Sequence, residues 1–185
     1  GKRLFSLSLF LFSVRFTMAE QLTLPPTDDR EALYTALLPQ VEALVAGESD
    51  PVANMANVAA ALRATFGFFW VGFYRVVGEE LVLGPFQGPL ACTRIGFGRG
   101  VCGQAWNERR TLVVPDVEKF PGHIACSSAS RSEIVVPVFN RFDPRQVIAV
   151  LDIDSDRVND FSERDREGLE RILEQIGEKL QHENK

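Results

Sequence analysis

Residues 133–154 read EIVVPVFNRFDPRQVIAVLDID and carry a clear strand signal. β-Branched residues dominate both flanks, Glu133–Phe139 and Gln146–Asp154, which predicts two strands. The residues that join them contain Asp143-Pro144, a pair typical of a turn. The stretch therefore predicts an antiparallel hairpin, and its second strand is apolar enough to be buried.

The segments on either side of this hairpin predict further strands and enclosing helices. Residues 68–77 are aromatic and β-branched and predict a strand that turns at Gly78 into a second strand beginning at Leu81. A short strand is predicted over 111–114. Helices are predicted over 30–46, with a kink or break at Pro39, over 51–65, over 102–108 and after the Ser162 cap. Helices around a run of mostly antiparallel strands predict an α+β fold with one sheet.

Length and composition exclude several classes of protein. The chain has 185 residues, 45% of them hydrophobic and 24% charged, which predicts one folded domain and excludes global disorder. A net charge of −5 and scattered basic residues argue against a nucleic-acid partner. Three cysteines are too few, and an odd number, for a disulfide scaffold. We therefore expect a reducing, cytoplasmic location.

The first 17 residues have the pattern of a targeting segment. Residues 1–17 read GKRLFSLSLFLFSVRFT, in which two basic residues precede an apolar run. That run is shorter than the roughly 20 residues that a membrane-spanning helix needs, and Met18 looks like a natural start. We expect 1–17 to be a leader or an upstream addition outside the fold, 18–185 to form the domain, and no membrane partner.

The glycine-rich stretch over 84–103 does not match a nucleotide-cofactor motif. It lacks the G-x-G-x-x-G spacing after an apolar strand, and no Gly-Lys-Ser/Thr follows it. Its glycines serve either tight turns or close approach to a ligand. The sequence gives no reason to expect a bound cofactor.

The three cysteines leave two interpretations open. No pair has C-x-x-C spacing, so the sequence predicts no metal site. Cys102 has the pattern of a buried small hydrophobic residue. Cys92 and Cys126 follow alanines in loops of small residues, where exposure allows thiol chemistry, and His123 lies close before Cys126.

Acidic and aromatic residues mark a candidate pocket on the strands. Asp152 and Asp154 alternate along one strand and so share a side, and Glu133 begins its hairpin partner. Such acids are either solvated at a strand end or, on a buried strand, ligands for a cation such as an ammonium group. Trp70 and Tyr74 share a face of the first strand and are either core residues or pocket walls.

Taken together, blocks spread between Asp28 and Leu180 resemble the free methionine-(R)-sulfoxide reductases. The blocks are FWVGFY (69–74), LGPFQG (83–88), AC (91–92), GRGVCG (98–103), GHIAC (122–126), SEI (132–134) and LDIDS (151–155). The resemblance implies a single GAF domain, with a central antiparallel sheet of about six strands and helices on both faces.

The resemblance also implies a role for each candidate residue. Cys126 matches the catalytic cysteine, Cys92 the resolving cysteine, and Cys102 a third that stands in for the resolving cysteine or joins an alternative disulfide. Ser127 departs from the family, which often has an acid there, and the turn over 142–145 looks slightly longer. The matched substrate-pocket positions are Trp70, Tyr74, Glu133, Asp152 and Asp154.

The implied activity is reduction of free methionine-(R)-sulfoxide through a cysteine sulfenic acid and an intramolecular disulfide. The implied partners are this substrate and a thioredoxin-type dithiol reductant, without metal or cofactor, and a homodimer is kept as a hypothesis. The alternative is a non-catalytic GAF sensor of a nucleotide-type ligand, which needs no set of three cysteines.

Overall fold

The computed structural model describes residues 21–124 and 126–181. The predicted leader, 1–17, and the predicted domain start at residue 18 lie outside them. No helix in the described part of the chain is long and apolar enough to span a bilayer. The helices are α1 (Arg30–Ala46), α2 (Pro51–Phe66), α3 (Gly100–Glu108) and α4 (Glu163–Ile176), with 3₁₀ turns at Val117–Lys119 and Gly177–Leu180. The strands are β1 (Trp70–Val77), β2 (Glu80–Gln87), β3 (Arg94–Gly96), β4 (Leu112–Val114), β5 (Ser132–Phe139) and β6 (Val147–Ser155).

The strands form one six-stranded sheet in the order β3-β2-β1-β6-β5-β4, and every neighbouring pair is antiparallel. The predicted hairpin is β5–β6, and β1 lies on the other side of β6. The α+β prediction with about six antiparallel strands is therefore confirmed. Sequence analysis missed β3, because its three residues lie inside the glycine-rich stretch.

Side-chain alternation divides the sheet into two packed faces. Val71 and Phe73 of β1 and Leu151 of β6 point into the larger core, beneath α2 and α4, which α1 covers. Trp70 and Tyr74 point to the opposite face, where α3 packs. Helices on both faces, as predicted, make β1, β6 and β5 the middle of a three-layer structure.

Helix α1 runs through Pro39, so of the predicted kink or break the break does not occur. Asp29 caps its first turn through Glu31 N, at 3.1 Å. The carbonyl of Thr35 loses its helical donor at Pro39. Both residues are exposed, so this side of the helix is open to water, which can supply the hydrogen bond. Buried side chains on both sides of the proline, from Leu33 to Val45, hold the helix in one piece against the core.

Candidate active site

A small cleft opens on the α3 face of the sheet, over its central strands. Strand pairing explains why the predicted acids meet there: Asp154 lies opposite Glu133 on β5 and opposite Trp70 on β1. Gly72 lies opposite Asp152. Of the predicted site residues, the cleft is lined by Trp70, Tyr74, Cys102, Cys126, Glu133, Asp152 and Asp154.

Two aromatic side chains of β1 form one wall of the cleft. The rings of Trp70 and Tyr74 lie 6.0 Å apart, and Phe86 of β2 stacks on the indole at 5.4 Å. Gly72 between them is required, because a Cβ there would come within 2.5 Å of the indole ring. The missing side chain allows the indole to fold flat over the strand.

The same aromatic residues anchor the segment that carries Cys92. The Trp70 indole N–H donates to the carbonyl of Pro89 at 3.1 Å, and the Tyr74 hydroxyl donates to the carbonyl of Cys92 at 2.9 Å. Burial raises the pKa of Tyr74 far above its usual value, so the hydroxyl remains a donor. The two hydrogen bonds position the loop after β2 at the edge of the cleft.

Cys92 and Cys126 form a disulfide, with Cα atoms 5.3 Å apart. Both residues are half-buried, whereas Cys102 is a free thiol with 4% of its surface exposed. Cys92 is therefore the one predicted site residue that does not line the cleft itself, although its sulfur is bonded to a residue that does.

The three carboxylates differ in ionisation. Burial, followed by the charges of its neighbours, raises the pKa of Glu133 and of Asp152 well above the usual range. Burial raises the pKa of Asp154 to about 6, opposed by the hydrogen bond that the Ser130 hydroxyl donates to it. At neutral pH Asp154 is therefore mainly ionised, while Glu133 and Asp152 are biased toward their protonated forms.

Glu133 connects the carboxylates to the loop of Cys126 and to α3. Its Oε2 lies 3.7 Å from Nε2 of His123, and burial lowers the pKa of that imidazole, which favours the neutral form. The Cys102 thiol donates to its Oε1 at 3.9 Å, and burial raises the pKa of this thiol. On these two sides Glu133 thus meets neutral groups that can exchange protons, the His123 imidazole and the Cys102 thiol.

Helix α3 reaches the sheet because Gly103 lets its first turn approach the backbone of β3. A Cβ on Gly103 would overlap the carbonyl oxygen of Gly96, so the close packing requires glycine. The contact places Cys102 above β5 and β6. The glycine-rich stretch therefore supports close approach of backbone segments as well as turns.

Several residues at this site were missed by sequence reasoning. Ser130 donates a hydrogen bond to Asp154, and Leu90 and Ile124 line the mouth of the cleft. Ser130 belongs to a run of small polar residues in which no spacing distinguishes one serine from another. Only the three-dimensional fold brings it to Asp154.

A six-stranded antiparallel sheet with helices on both faces and a cleft over its central strands defines a GAF domain. The family model for the GAF domain matches residues 50–180. The free methionine-R-sulfoxide reductase of Escherichia coli is 43% identical over 80% of this chain and 88% of its own length, and that of Saccharomyces cerevisiae is 36% identical over 89% and 94%.

A solved structure is similar along nearly all of its length. The free methionine-R-sulfoxide reductase of Neisseria meningitidis, in complex with its substrate, is 53% identical, with a TM-score of 0.81 over 86% of this chain and 96% of that one. The chain belongs to the free methionine-R-sulfoxide reductase family of GAF domains.

Proposed function

We propose that this protein reduces free methionine-(R)-sulfoxide to methionine, with Cys126 as nucleophile and Cys92 as resolving cysteine. The observation that carries the proposal is the Cys92–Cys126 disulfide at the mouth of a cleft floored by three carboxylates. The disulfide is the product expected of the reaction, and the carboxylates suit a free amino acid.

Recognition of the free amino acid rests on charge. The ionised Asp154 accepts hydrogen bonds from the substrate's α-ammonium, and Asp152 lies on the same side of β6 to assist it. Trp70 offers its indole face to the methyl group of the substrate. An acylated nitrogen in a peptide lacks the positive charge that this arrangement requires.

The first chemical step transfers oxygen from substrate to enzyme. The Cys126 thiolate attacks the sulfoxide sulfur while the protonated Glu133 delivers a proton to the sulfoxide oxygen. The S–O bond breaks, the oxygen and proton pass to Cys126 as a sulfenic acid, and methionine leaves as the reduced thioether. The raised pKa of Glu133 supports its role as proton donor.

The second step regenerates the enzyme. The Cys92 thiol attacks the sulfenic sulfur of Cys126, releasing water and forming the disulfide. The Cα separation of 5.3 Å lies within the range of about 4.4–6.8 Å for disulfides. An external dithiol of thioredoxin type then reduces it by exchange, which fits a reducing, cytoplasmic location and yields an oxidised dithiol.

Two cysteine variants and peptide mapping test the assignment. Cys126→Ser abolishes methionine formation in a single turnover, whereas Cys102→Ser retains it and serves as the matched control. Mapping of wild-type protein oxidised by the substrate finds the Cys92–Cys126 peptide pair. Near-normal single-turnover formation of methionine by Cys126→Ser, or a Cys102–Cys126 pair alone, contradicts the proposed roles.

We keep the homodimer as a separate proposal that rests on the family resemblance. Light scattering coupled to size-exclusion chromatography measures the mass in solution. A mass of twice the chain's 20.6 kDa supports it, and a mass of one chain overturns it.

A further inference from the structure

We propose that the oxidised protein also binds a thiophilic divalent cation, such as Zn²⁺ or Cd²⁺, through Cys102, Glu133 and Asp152. One donor atom from each of these three side chains lies within 4.8 Å of the other two. All three residues are buried, with 4–6% of their surface exposed. The site is distinct from the cysteine pair that carries the reaction, because both of those sulfurs are bonded to each other.

The donors are held on three regular elements. Cys102 lies in the first turn of α3, Glu133 on β5 and Asp152 on β6. A tetrahedral Zn²⁺ with bonds of about 2.3 Å to sulfur and about 2.0–2.2 Å to oxygen holds such donors roughly 3.5 Å apart. The Cys102 Sγ and Glu133 Oε1 atoms are 3.9 Å apart, so this pair needs a shift of only a few tenths of an ångström, and the remaining pairs close in from at most 4.8 Å.

An unpartnered acceptor points to a ligand at this place. Oδ1 of Asp152 is buried and has no hydrogen-bond partner among the described residues. Within that same part of the chain, no lysine or arginine forms an ion pair with Glu133, Asp152 or Asp154. A buried group of acids without a protein cation accommodates one from outside, either an ammonium group or a metal ion.

The thiol selects the class of metal. Thiolate ligands favour Zn²⁺ and other soft cations, whereas Mg²⁺ and Ca²⁺ require oxygen ligands in larger number. A cysteine thiol and two carboxylates therefore form a mixed site for a thiophilic ion.

A metal ion at this site blocks the carboxylates that the substrate needs. This consequence rests on the proposed function, since it assumes that Asp152 and its neighbour Asp154 receive the α-ammonium. Free methionine-(R)-sulfoxide and the metal then compete for one cleft. The S epimer has the same chelating groups but is not a substrate under the proposed function, so it is a matched control for chelation in solution.

The direct test uses the oxidised full chain, in which Cys102 is the one remaining cysteine thiol. Titration with Cd²⁺ is followed by thiolate-to-metal charge-transfer absorption and by calorimetry. We expect one ion per chain, no absorption change with Mg²⁺, and loss of the absorption in Cys102→Ala. The isosteric Asp152→Asn weakens binding at least tenfold, whereas Asp116→Asn, at the turn before Val117, leaves it unchanged.

Two results overturn the metal site. The first is no charge-transfer absorption in oxidised wild-type protein, which needs no variant to interpret. The second is equal affinity in wild type, Asp152→Asn and Glu133→Gln, which assigns the absorption to the cysteine alone. Either result leaves the reductase reaction untouched, because reduction of the sulfoxide is measured without metal.

Competition is tested separately on the same oxidised protein. The R epimer weakens the apparent affinity for Cd²⁺ as its concentration rises, and the S epimer does not. If Cd²⁺ binds but the two epimers affect its affinity equally, the metal site stands, and the proposal that metal and substrate share the carboxylates is contradicted. That outcome is distinguishable from failure of the site itself.

Discussion

At the scale of single residues, Asp154 gives the cleft a defined pH response. Burial raises its pKa to about 6. The side chain is therefore negatively charged above pH 6, and this charge is lost as the pH falls below 6. The substrate's ammonium stays charged over this range. We expect the Kd of free methionine-(R)-sulfoxide, measured on Cys126→Ser by calorimetry, to rise about tenfold per pH unit below 6.

The control for this response is Asp154→Asn, which keeps the shape of the side chain. Its Kd is weaker at pH 7 and stays flat between pH 7 and 5. If the affinity of Asp154→Asn also falls between pH 7 and 5, another group causes the pH dependence and the prediction is contradicted.

The charge of the substrate provides a second prediction at this scale. N-Acetyl-methionine-(R)-sulfoxide cannot supply the ammonium that Asp154 and Asp152 receive. A charge-assisted hydrogen bond to a buried carboxylate contributes on the order of 1.5–3 kcal/mol, so kcat/KM for the acetylated compound falls at least about tenfold. Equal efficiency for free and acetylated substrates, under one dithiol reductant, contradicts the ammonium pocket.

Tyr74 positions the resolving cysteine through a single hydrogen bond. Tyr74→Phe keeps the ring and removes the donor to the Cys92 carbonyl. Since such a bond contributes about 0.5–1.5 kcal/mol, disulfide formation slows by a few-fold to about tenfold. Rapid-quench measurement of free thiols follows this step, and the preceding release of methionine keeps its rate. A slower release of methionine with normal disulfide formation assigns Tyr74 to substrate binding instead.

At the scale of the elements, one buried aspartate joins α1 to α4. Asp165 accepts from the backbone N–H of Ser162 at 2.8 Å, from the Tyr34 hydroxyl at 3.2 Å and from the Arg30 guanidinium at 2.7 Å. It therefore takes part both in a capping box and in a half-buried ion pair.

Asp165→Ala removes the cap and leaves the Arg30 charge without this partner. We expect the free energy of unfolding to fall by about 2–4 kcal/mol, measured by urea denaturation of the oxidised protein. The control Asp156→Ala changes an exposed aspartate and costs less than about 0.5 kcal/mol. Equal stability of the two variants contradicts the proposed role of Asp165.

The elements also show what the sequence reveals and what it leaves open. The β5–β6 hairpin and α4 carry strong local patterns, an Asp-Pro turn and a Ser162 cap, and both were predicted correctly. Strand β3 has no such local pattern. Its three residues form a strand because they pair with β2, and that pairing cannot be read from the residues of β3 alone. Pro39 does not end α1, because burial of the helix outweighs the missing hydrogen bond.

The residues of the site also divide into those that the sequence predicts and those that only the fold brings together. Alternation along β6 places Asp152 and Asp154 on one side, and this was readable from the sequence. The hydrogen bonds from Ser130 to Asp154 and from Tyr74 to Cys92 join residues far apart in the chain. The family resemblance was confirmed by the comparisons, whereas the individual residue roles stay predictions.

In the molecule as a whole, three features meet in one cleft: a disulfide at its mouth, an acid whose pKa burial raises, and a second acid on the same sheet with a pKa of about 6. The arrangement requires that oxygen transfer and disulfide formation be coupled one to one. Each methionine formed without external reductant therefore consumes two thiols.

The most direct measurement is a single turnover of the reduced protein with free L-methionine-(R)-sulfoxide and no reductant, counting methionine and free thiols. We predict one methionine per chain, loss of the Cys92 and Cys126 thiols while Cys102 stays free, and little reaction with the S epimer. Adding a dithiol restores continuous turnover. Binding of the sulfoxide without methionine formation, or equal rates for both epimers, contradicts the account.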